Sequence, residues 1–210
     1  MMKTPWMEMT VRDFQAALAS SSPTPGGGTA SAIALGQASA LAIMVCDLTI
    51  GKDKWKEGWT IAEEAMLCSV KIMSRSGELA DEDSDAFDSV MAAFKMPKDD
   101  EKRVQNRKEA IRMATLEATL KPYETAKLAL ELLSKLPELA AKGNGNAVSD
   151  VGVAGLLASA AFKGALFNVE INLGSLPDDD AIEIRESIES IKEEGRNYSR
   201  RIMDSVRDRL

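Results

Sequence analysis

SSSPTPGGGTASAIALGQASALAIMVCDLTI, residues 20–50, carries the strongest local signals in the chain. Two prolines and three glycines within its first nine residues exclude a helix there and predict a loop. From Thr29 to about Ile50 most residues are small or apolar, which predicts a helix. Ala32, Gly36 and Ala40 recur every four residues on one face, so a second helix can approach closely. This segment predicts a fold built from closely packed helices.

Helical patterns also cover most of the remaining chain, and no alternating strand pattern or internal repeat interrupts them. Gly77 is expected to end or bend one helix, and Pro137 to kink another. The predicted helices run from a Thr10 cap to Leu18, over 54–76, over 81–95, from Asp99 or Asp100 to before Pro122, from Pro122 to Ala141, from a Ser149 cap over 150–173, and from the turn at 176–179 to the C-terminus. We therefore predict an all-α, single-domain bundle over residues 1–210, with eight or nine helices and long antiparallel pairs.

Composition and charge exclude several classes of protein. The net charge is -7 and no basic block stands out, so nucleic acid is not an expected partner. No signal peptide is evident, and the most apolar run, residues 30–46, contains Gln37 and several serines, so a membrane role is not expected. Cys46 and Cys68 lie within apolar helical patterns, which indicates buried thiols and a reducing, cytoplasmic location.

The sequence contains no histidine. This absence removes the commonest general base and the commonest metal ligand, so no metal site is predicted. Acid–base chemistry would then require carboxylates, lysine, tyrosine, cysteine or hydroxyls with pKa values shifted by burial or by neighbouring charge.

Two loops lead directly into predicted helices. In the glycine-rich loop, bare amides at a helix start would suit an anion or a carbonyl, although the glycines equally permit a simple tight turn. The loop over residues 142–150 ends at Asp150, and its Asn and Gly residues are typical of an ordinary turn. Asp150 would either complement the helix dipole or act as a buried carboxylate with a raised pKa.

Asn168 and Asn172 lie one turn apart in an apolar segment and share a helix face. Their amides would either bind a ligand or form hydrogen bonds with other groups inside the protein. Asp150 lies on nearly the same face but 18 residues earlier, about 27 Å away along the axis. These groups cannot share a small ligand within one straight helix.

Five acids occupy the eight residues 81–88, and a solvated helix start is the favoured interpretation for most of them. Periodicity does not decide whether Asp85 points inward or outward. Lys52 follows the predicted small-residue helix, where a surface position is the default.

Five segments, taken together and in order, resemble one known family: the cyclodeaminase and methenyltetrahydrofolate cyclohydrolase family, also found as the C-terminal domain of formiminotransferase-cyclodeaminase. The resemblance spans nearly the whole chain. A departure is Trp55, where the family usually has an aromatic such as Tyr. The segments are LASSSPTPGGGTASAIA (18–34), MVCDLTIGKDKW (44–55), DEDSDAF (81–87), KGNGNAVSDVGVA (142–154) and ALFNVEINL (165–173).

The resemblance implies an all-helical, metal-free homodimer that binds a tetrahydrofolate derivative and needs no other cofactor. It also implies that both subunits contribute to one site, which would resolve the 27 Å separation of Asp150 from the asparagine pair. Ser22, Pro25, Gly26, Gly27 and Gly28 would form a ligand-facing loop. The polar positions that match the family are Lys52, Asp85, Asn144, Asp150, Asn168 and Asn172.

The resemblance allows two reactions. Methenyltetrahydrofolate cyclohydrolase activity is expected because no formiminotransferase domain precedes the chain; formimidoyltetrahydrofolate cyclodeaminase activity, with loss of ammonia, is the alternative. A non-enzymatic helical dimer is a second alternative. Asp85, Asp150 and Lys52 are the candidate catalytic residues, with an aspartate as the acid–base group and Lys52 or Lys142 holding the folate glutamate. Replacing the aspartate that transfers protons by Asn should reduce turnover by about 10²-fold or more.

Overall fold

The computed structural model describes residues 4–210, in which all regular secondary structure is helical. This confirms the predicted all-α class. Three short 3-10 helices, Trp6–Glu8, Asp53–Gly58 and Gly145–Ala147, accompany the longer elements. The α-helices in the described range are α1 (Val11–Leu18), α2 (Gly27–Thr49), α3 (Trp59–Phe94), α4 (Glu101–Lys142), α5 (Val148–Leu173) and α6 (Ile182–Arg207).

Helices α2 to α5 form a four-helix bundle in which each helix packs against the next and α5 returns to α2. Neighbours run antiparallel, as predicted: Arg75 and Glu124 pair α3 with α4, while Cys68 faces Glu131 further along the same two helices. Helix α6 packs outside, against α4 and α5. The N-terminal 3-10 helix lies against α3.

The predicted close approach of the small-residue helix is confirmed at Gly36. A Cβ added there would lie 2.7 Å from the Ser76 hydroxyl of α3, so a side chain at this position would require that hydroxyl to move. Ala32 is fully buried in the same interface. Ala40, by contrast, faces solvent, so the predicted ridge ends one turn early.

Two predicted helix breaks do not occur. Helix α3 continues through Gly77, where the missing side chain leaves room for Met7 of the N-terminal segment, 3.1 Å from the position a Cβ would take. Helix α4 continues through both Pro122 and Pro137, although the prediction ended one helix before Pro122 and began another there. The described chain therefore has six α-helices and not eight or nine.

Capping signals located some helix ends correctly. The Thr10 hydroxyl accepts a hydrogen bond from the Asp13 amide, and Asp100 accepts from the Arg103 amide, as the sequence predicted. Ser149 is not an N-cap, because a 3-10 turn leads straight into α5 at Val148. Helix α2 begins at Gly27, two residues earlier than predicted, so two of the three glycines lie inside its first turn.

Cys46 and Cys68 are buried free thiols, in agreement with the sequence. Burial raises the pKa of each thiol to about 12. Helix α2 and the segment Gly145–Leu173 are long and apolar enough to match a membrane span by length and composition, but each is largely buried within the bundle. Core helices of globular proteins share these properties.

Candidate functional site

The glycine-rich loop reverses the chain and feeds into α2. Gly26 takes the N-cap position in an extended conformation, and Gly27 and Gly28 form the first turn, where backbone amides have no acceptor within the helix. Pro25 is buried and Ser22 is exposed. The Thr24 hydroxyl donates to Asp88 of α3 over 3.3 Å, which ties the loop to the bundle.

Asp83 of α3 packs directly on Gly28. A Cβ added to Gly28 would overlap the Asp83 carboxylate, lying 2.6 Å from its Cγ atom. Any larger residue at position 28 would displace this side chain. Glycine at this position is therefore required by the close approach of a carboxylate, and not only by the turn.

The surroundings of Asp83 oppose its ionisation. Burial raises the pKa of the Asp83 carboxyl above its ordinary value. The Thr29 hydroxyl, which donates to Asp83 Oδ2 over 3.1 Å, and the Thr29 backbone amide act in the opposite direction without cancelling the effect. A carboxyl whose pKa is shifted toward neutrality suits general acid–base chemistry.

Asn168 of α5 lies on the other side of the glycines. Its Nδ2 atom donates to the Gly164 carbonyl over 2.9 Å and lies 3.8 Å from the position that a Cβ on Gly27 would take. The structure thus brings together two sets of residues that the sequence selected separately, the glycine loop and Asn168. Gly27 itself is exposed, so the space above it is open to a ligand.

An apolar groove adjoins this cluster. It has a volume of about 470 Å³ and runs along α2 from Ala30, one turn beyond Gly27. The N-terminal segment forms its other wall, with Trp6 and Phe14 among the lining residues. Apolar clefts beside a few convergent polar groups are typical of small-molecule sites.

Asp85, one of the two aspartates selected from the sequence as candidate acid–base groups, is exposed. It follows Asp83 by two residues, about 200° around the helix, so the two side chains leave α3 in nearly opposite directions. Its catalytic role stays a prediction. A periodicity signal for Asp83 was present: Ile72, Ser76 and Leu79 are buried at intervals of four and three, and the next four-residue step reaches position 83.

Asn172 has a structural partner. Its Nδ2 atom donates to the Ala118 carbonyl of α4 over 2.8 Å. Ala118 is four residues before Pro122, which has no backbone N–H to give it. The amide of Asn172 therefore replaces the missing helical hydrogen bond.

The other predicted site residues gather at the opposite end of the bundle. Asn144 is held by three internal hydrogen bonds. One of them runs from its backbone N–H to the Thr49 hydroxyl at the end of α2. Lys142 pairs with Glu138 over 3.1 Å, Lys52 is exposed, and Asp150 is half-buried in the first turn of α5.

A basic pocket opens at this second end. It has a volume of about 640 Å³, and the Trp55 ring lies beneath the Lys54 ammonium at 4.6 Å and the Arg209 guanidinium at 5.6 Å. Lys56 and Lys142 also line it, with Asp53 and Glu57 as the acidic members. Positive charge predominates here, although the chain as a whole is acidic.

The two ends lie far apart within one chain. Helix α2 carries the glycines at its start and Thr49 at its end, which are about 33 Å apart at the rise of an α-helix. Within one chain, Gly27, Asp83 and Asn168 come together, whereas Lys52, Asn144 and Asp150 do not join them.

Comparison with known proteins relates this chain to folate enzymes. Residues 10–190 match the family described as formiminotransferase-cyclodeaminase. The methenyltetrahydrofolate cyclohydrolase of Methylorubrum extorquens is 36% identical over 96% of this chain and 97% of its own length. The formimidoyltransferase-cyclodeaminase of Sus scrofa is 28% identical over 95% of this chain, which spans 37% of that longer protein.

The same relationship holds in three dimensions. The crystal structure of formiminotetrahydrofolate cyclodeaminase from Thermotoga maritima superposes with a TM-score of 0.85 at 26% identity, covering 96% of this chain and 98% of that one. Sequence and structure agree over nearly the full length. This chain therefore belongs to the formiminotransferase-cyclodeaminase family.

Proposed function

We propose that this protein is a methenyltetrahydrofolate cyclohydrolase in which Asp83 is the acid–base group. The observation that carries the proposal is the Asp83 carboxylate, packed on the bare glycine start of α2 with its pKa raised by burial. The 36% identity to a cyclohydrolase along almost the entire length of both chains favours this reaction over others of the family.

The chemistry requires one group that first accepts and then returns a proton. Water adds to the cationic amidine carbon of 5,10-methenyltetrahydrofolate, and Asp83 takes a proton from that water. The tetrahedral adduct then opens between the carbon and N5, which receives this proton, while the hydroxyl proton leaves to solvent and a formyl group remains on N10. A carboxyl with a raised pKa performs both transfers, in place of a histidine.

The start of α2 supplies the complementary donors. Amides of Gly27 and Gly28 at a helix N-terminus stabilise negative charge, here the oxygen that water contributes to the adduct. Asn168 beside Gly27 offers hydrogen bonds to the pterin ring, and the apolar groove from Ala30 accommodates the flat part of the substrate.

A homodimer would unite the two ends of the bundle. Helices α2 and α5 are neighbours, and their outer sides expose large apolar side chains, which is typical of an interface. These are Met44, Leu48, Val153, Leu156, Phe167 and Ile171. A twofold axis across the middle of α2 exchanges its ends, so the glycine end of one subunit meets the basic end of its partner.

In that arrangement each site draws on both chains. Asp150 of the partner subunit faces the amidine cation and stabilises it, and the partner's Lys52, with the basic pocket around Trp55, binds the carboxylates of the folate glutamate. This division gives a function to each end of the bundle.

The alternative reaction uses the same groups. In a cyclodeaminase, N10 attacks the formimino carbon of 5-formiminotetrahydrofolate and ammonia leaves, which again needs one proton acceptor and one donor. The Thermotoga maritima protein is named for this activity.

One pair of assays tests the proposal. Purified protein is mixed with 5,10-methenyltetrahydrofolate and the decay of its ultraviolet band is followed against a protein-free control; in parallel, ammonia release from 5-formiminotetrahydrofolate is measured. We expect catalysed decay of the band and little ammonia. Ammonia release without band decay would identify a cyclodeaminase. If neither activity is detected, the non-enzymatic alternative is favoured.

A further inference from the structure

A chain of buried hydrogen bonds ends on Asp83. The Trp6 indole Nε1 donates to the Ser84 hydroxyl over 2.9 Å, Ser84 and Thr29 hydroxyls are 2.9 Å apart, and Thr29 donates to Asp83 over 3.1 Å. Ser84 and Thr29 have no solvent exposure, and Trp6 is only 6% exposed. The chain links three parts of the fold: the N-terminal 3-10 helix, α3 and α2.

The ionised carboxylate sets the direction of the chain: it only accepts, so the single hydroxyl hydrogen of Thr29 is donated to Asp83, and Thr29 accepts from Ser84. An indole N–H donates and never accepts, so the Ser84 oxygen is used as an acceptor by Trp6. Ser84 then donates a hydrogen bond to Thr29, and Thr29 donates one to Asp83. With the carboxylate ionised, every link donates toward it, and such chains strengthen cooperatively.

The indole is itself held firmly. The Trp6 backbone amide donates to Asp81 over 2.9 Å, and its ring meets Phe14 edge-on at 6.1 Å. The N-terminal segment is thus fixed to the same turn of α3 that carries Asp83. Its position and that of the carboxylate are coupled through Ser84.

We propose that Trp6, Ser84 and Thr29 are positioning residues, which hold the Asp83 carboxylate in the orientation needed for proton transfer. This inference rests on the proposed function of Asp83. It adds to the reaction two hydroxyls, those of Ser84 and Thr29, which act through Asp83 and lie outside the groove; Trp6, at the far end of the chain, also lines that groove. The expected signature is a loss of kcat with little change in KM, because substrate contacts remain in place.

The test compares variants that differ only in the hydroxyl. Thr29→Val keeps the shape of the side chain and removes the donor, whereas Thr29→Ser retains the donor. We expect Thr29→Val to lower kcat by about tenfold or more with KM within about twofold, and Thr29→Ser to stay within about threefold of the wild-type kcat.

A second comparison uses two serines of α3. Ser84→Ala should lower kcat several-fold, whereas Ser76→Ala should leave it unchanged. Ser76 is also buried but donates to the Met73 carbonyl of its own helix, so it is a matched control. Thermal unfolding of each variant checks that the fold is intact.

The decisive readout is non-additivity. If the chain acts through Asp83, then Ser84→Ala and Thr29→Val cause no further loss in an Asp83→Asn background. Equal losses with and without Asp83, or a wild-type kcat in Thr29→Val, would overturn the positioning role. Full activity of Asp83→Asn alone would instead refute the proposed function, so the two failures are distinguishable.

Discussion

The side-chain amide of Asn172 donates to the backbone carbonyl of Ala118 over 2.8 Å. Pro122 leaves this carbonyl without its usual helical donor, so a residue of α5 completes the hydrogen bonding of α4. The contact explains how α4 runs from Glu101 to Lys142 without a break at Pro122. It also gives Asn172 a structural function where the sequence left binding and structure equally open.

A double-mutant cycle tests this function. Asn172→Ala leaves the Ala118 carbonyl unpaired and should reduce the free energy of unfolding by about 1–3 kcal/mol in urea titrations. Pro122→Ala restores the backbone donor, so Asn172→Ala should cost much less in that background. If the cost is the same in both backgrounds, Asn172 does not compensate for the proline.

Neighbouring glycines provide a second prediction. A Cβ on Gly28 overlaps Asp83, so Gly28→Ala should reduce both stability and activity. A Cβ on Gly27 meets only Asn168, at an ordinary 3.8 Å, so Gly27→Ala should fold with wild-type stability or better. If substrate occupies the space above Gly27, this stable variant should lose activity. A fully active Gly27→Ala would exclude substrate from that position.

The pH dependence of stability gives a third prediction. Because burial raises the pKa of Asp83, the folded protein holds this proton more tightly than the unfolded chain. The contribution of the group to stability is therefore lost as pH rises above the ordinary aspartate pKa of about 3.9 toward the raised value. Asp83→Asn has no such loss.

Urea unfolding of the wild type and of Asp83→Asn between about pH 3 and pH 8 measures this pH-dependent loss of stability. The difference in unfolding free energy should move in favour of Asp83→Asn as pH rises. A difference that is constant with pH, or that moves in favour of the wild type, would show that the pKa of Asp83 is not raised in the folded protein.

Much of the fold follows from local signals, and the exceptions have specific causes. Thr10 and Asp100 cap their helices as predicted because capping depends only on residues a few positions away. The continuity of α4 depends on Asn172, 50 residues beyond Pro122, which no local pattern reveals. At Pro122 a tertiary partner thus supplies the hydrogen bond that the proline removes.

The candidate site was predicted in part. The glycine loop and Asn168 were selected from sequence and lie together. Asp83 was missed, because local composition does not separate it from Asp85. What distinguishes it is the packing of α3 on α2, which continues the buried spacing of Ile72, Ser76 and Leu79. The separation of Lys52 and Asp150 from the glycines likewise follows from the length of α2 and not from any motif.

Mixing two inactive variants tests whether sites are shared between subunits. Asp83→Asn disables the glycine end and Asp150→Asn the opposite end. In a twofold dimer with shared sites, each mixed dimer has one site with both aspartates, so remixing equal amounts should restore about a quarter of wild-type activity. Full activity of Asp150→Asn on its own, or no recovery on mixing two inactive variants, would contradict shared sites. Light scattering of each sample checks that dimers form.

The most direct measurement compares Asp83→Asn with Asp85→Asn, two neutral replacements two residues apart on the same helix. The rate of 5,10-methenyltetrahydrofolate hydrolysis is followed for both, with thermal unfolding as the check on folding. The packing of Asp83 on Gly28 predicts that Asp83→Asn loses about 10²-fold or more in kcat and that Asp85→Asn loses far less. A folded Asp83→Asn protein that hydrolyses the substrate at the wild-type rate would contradict the account.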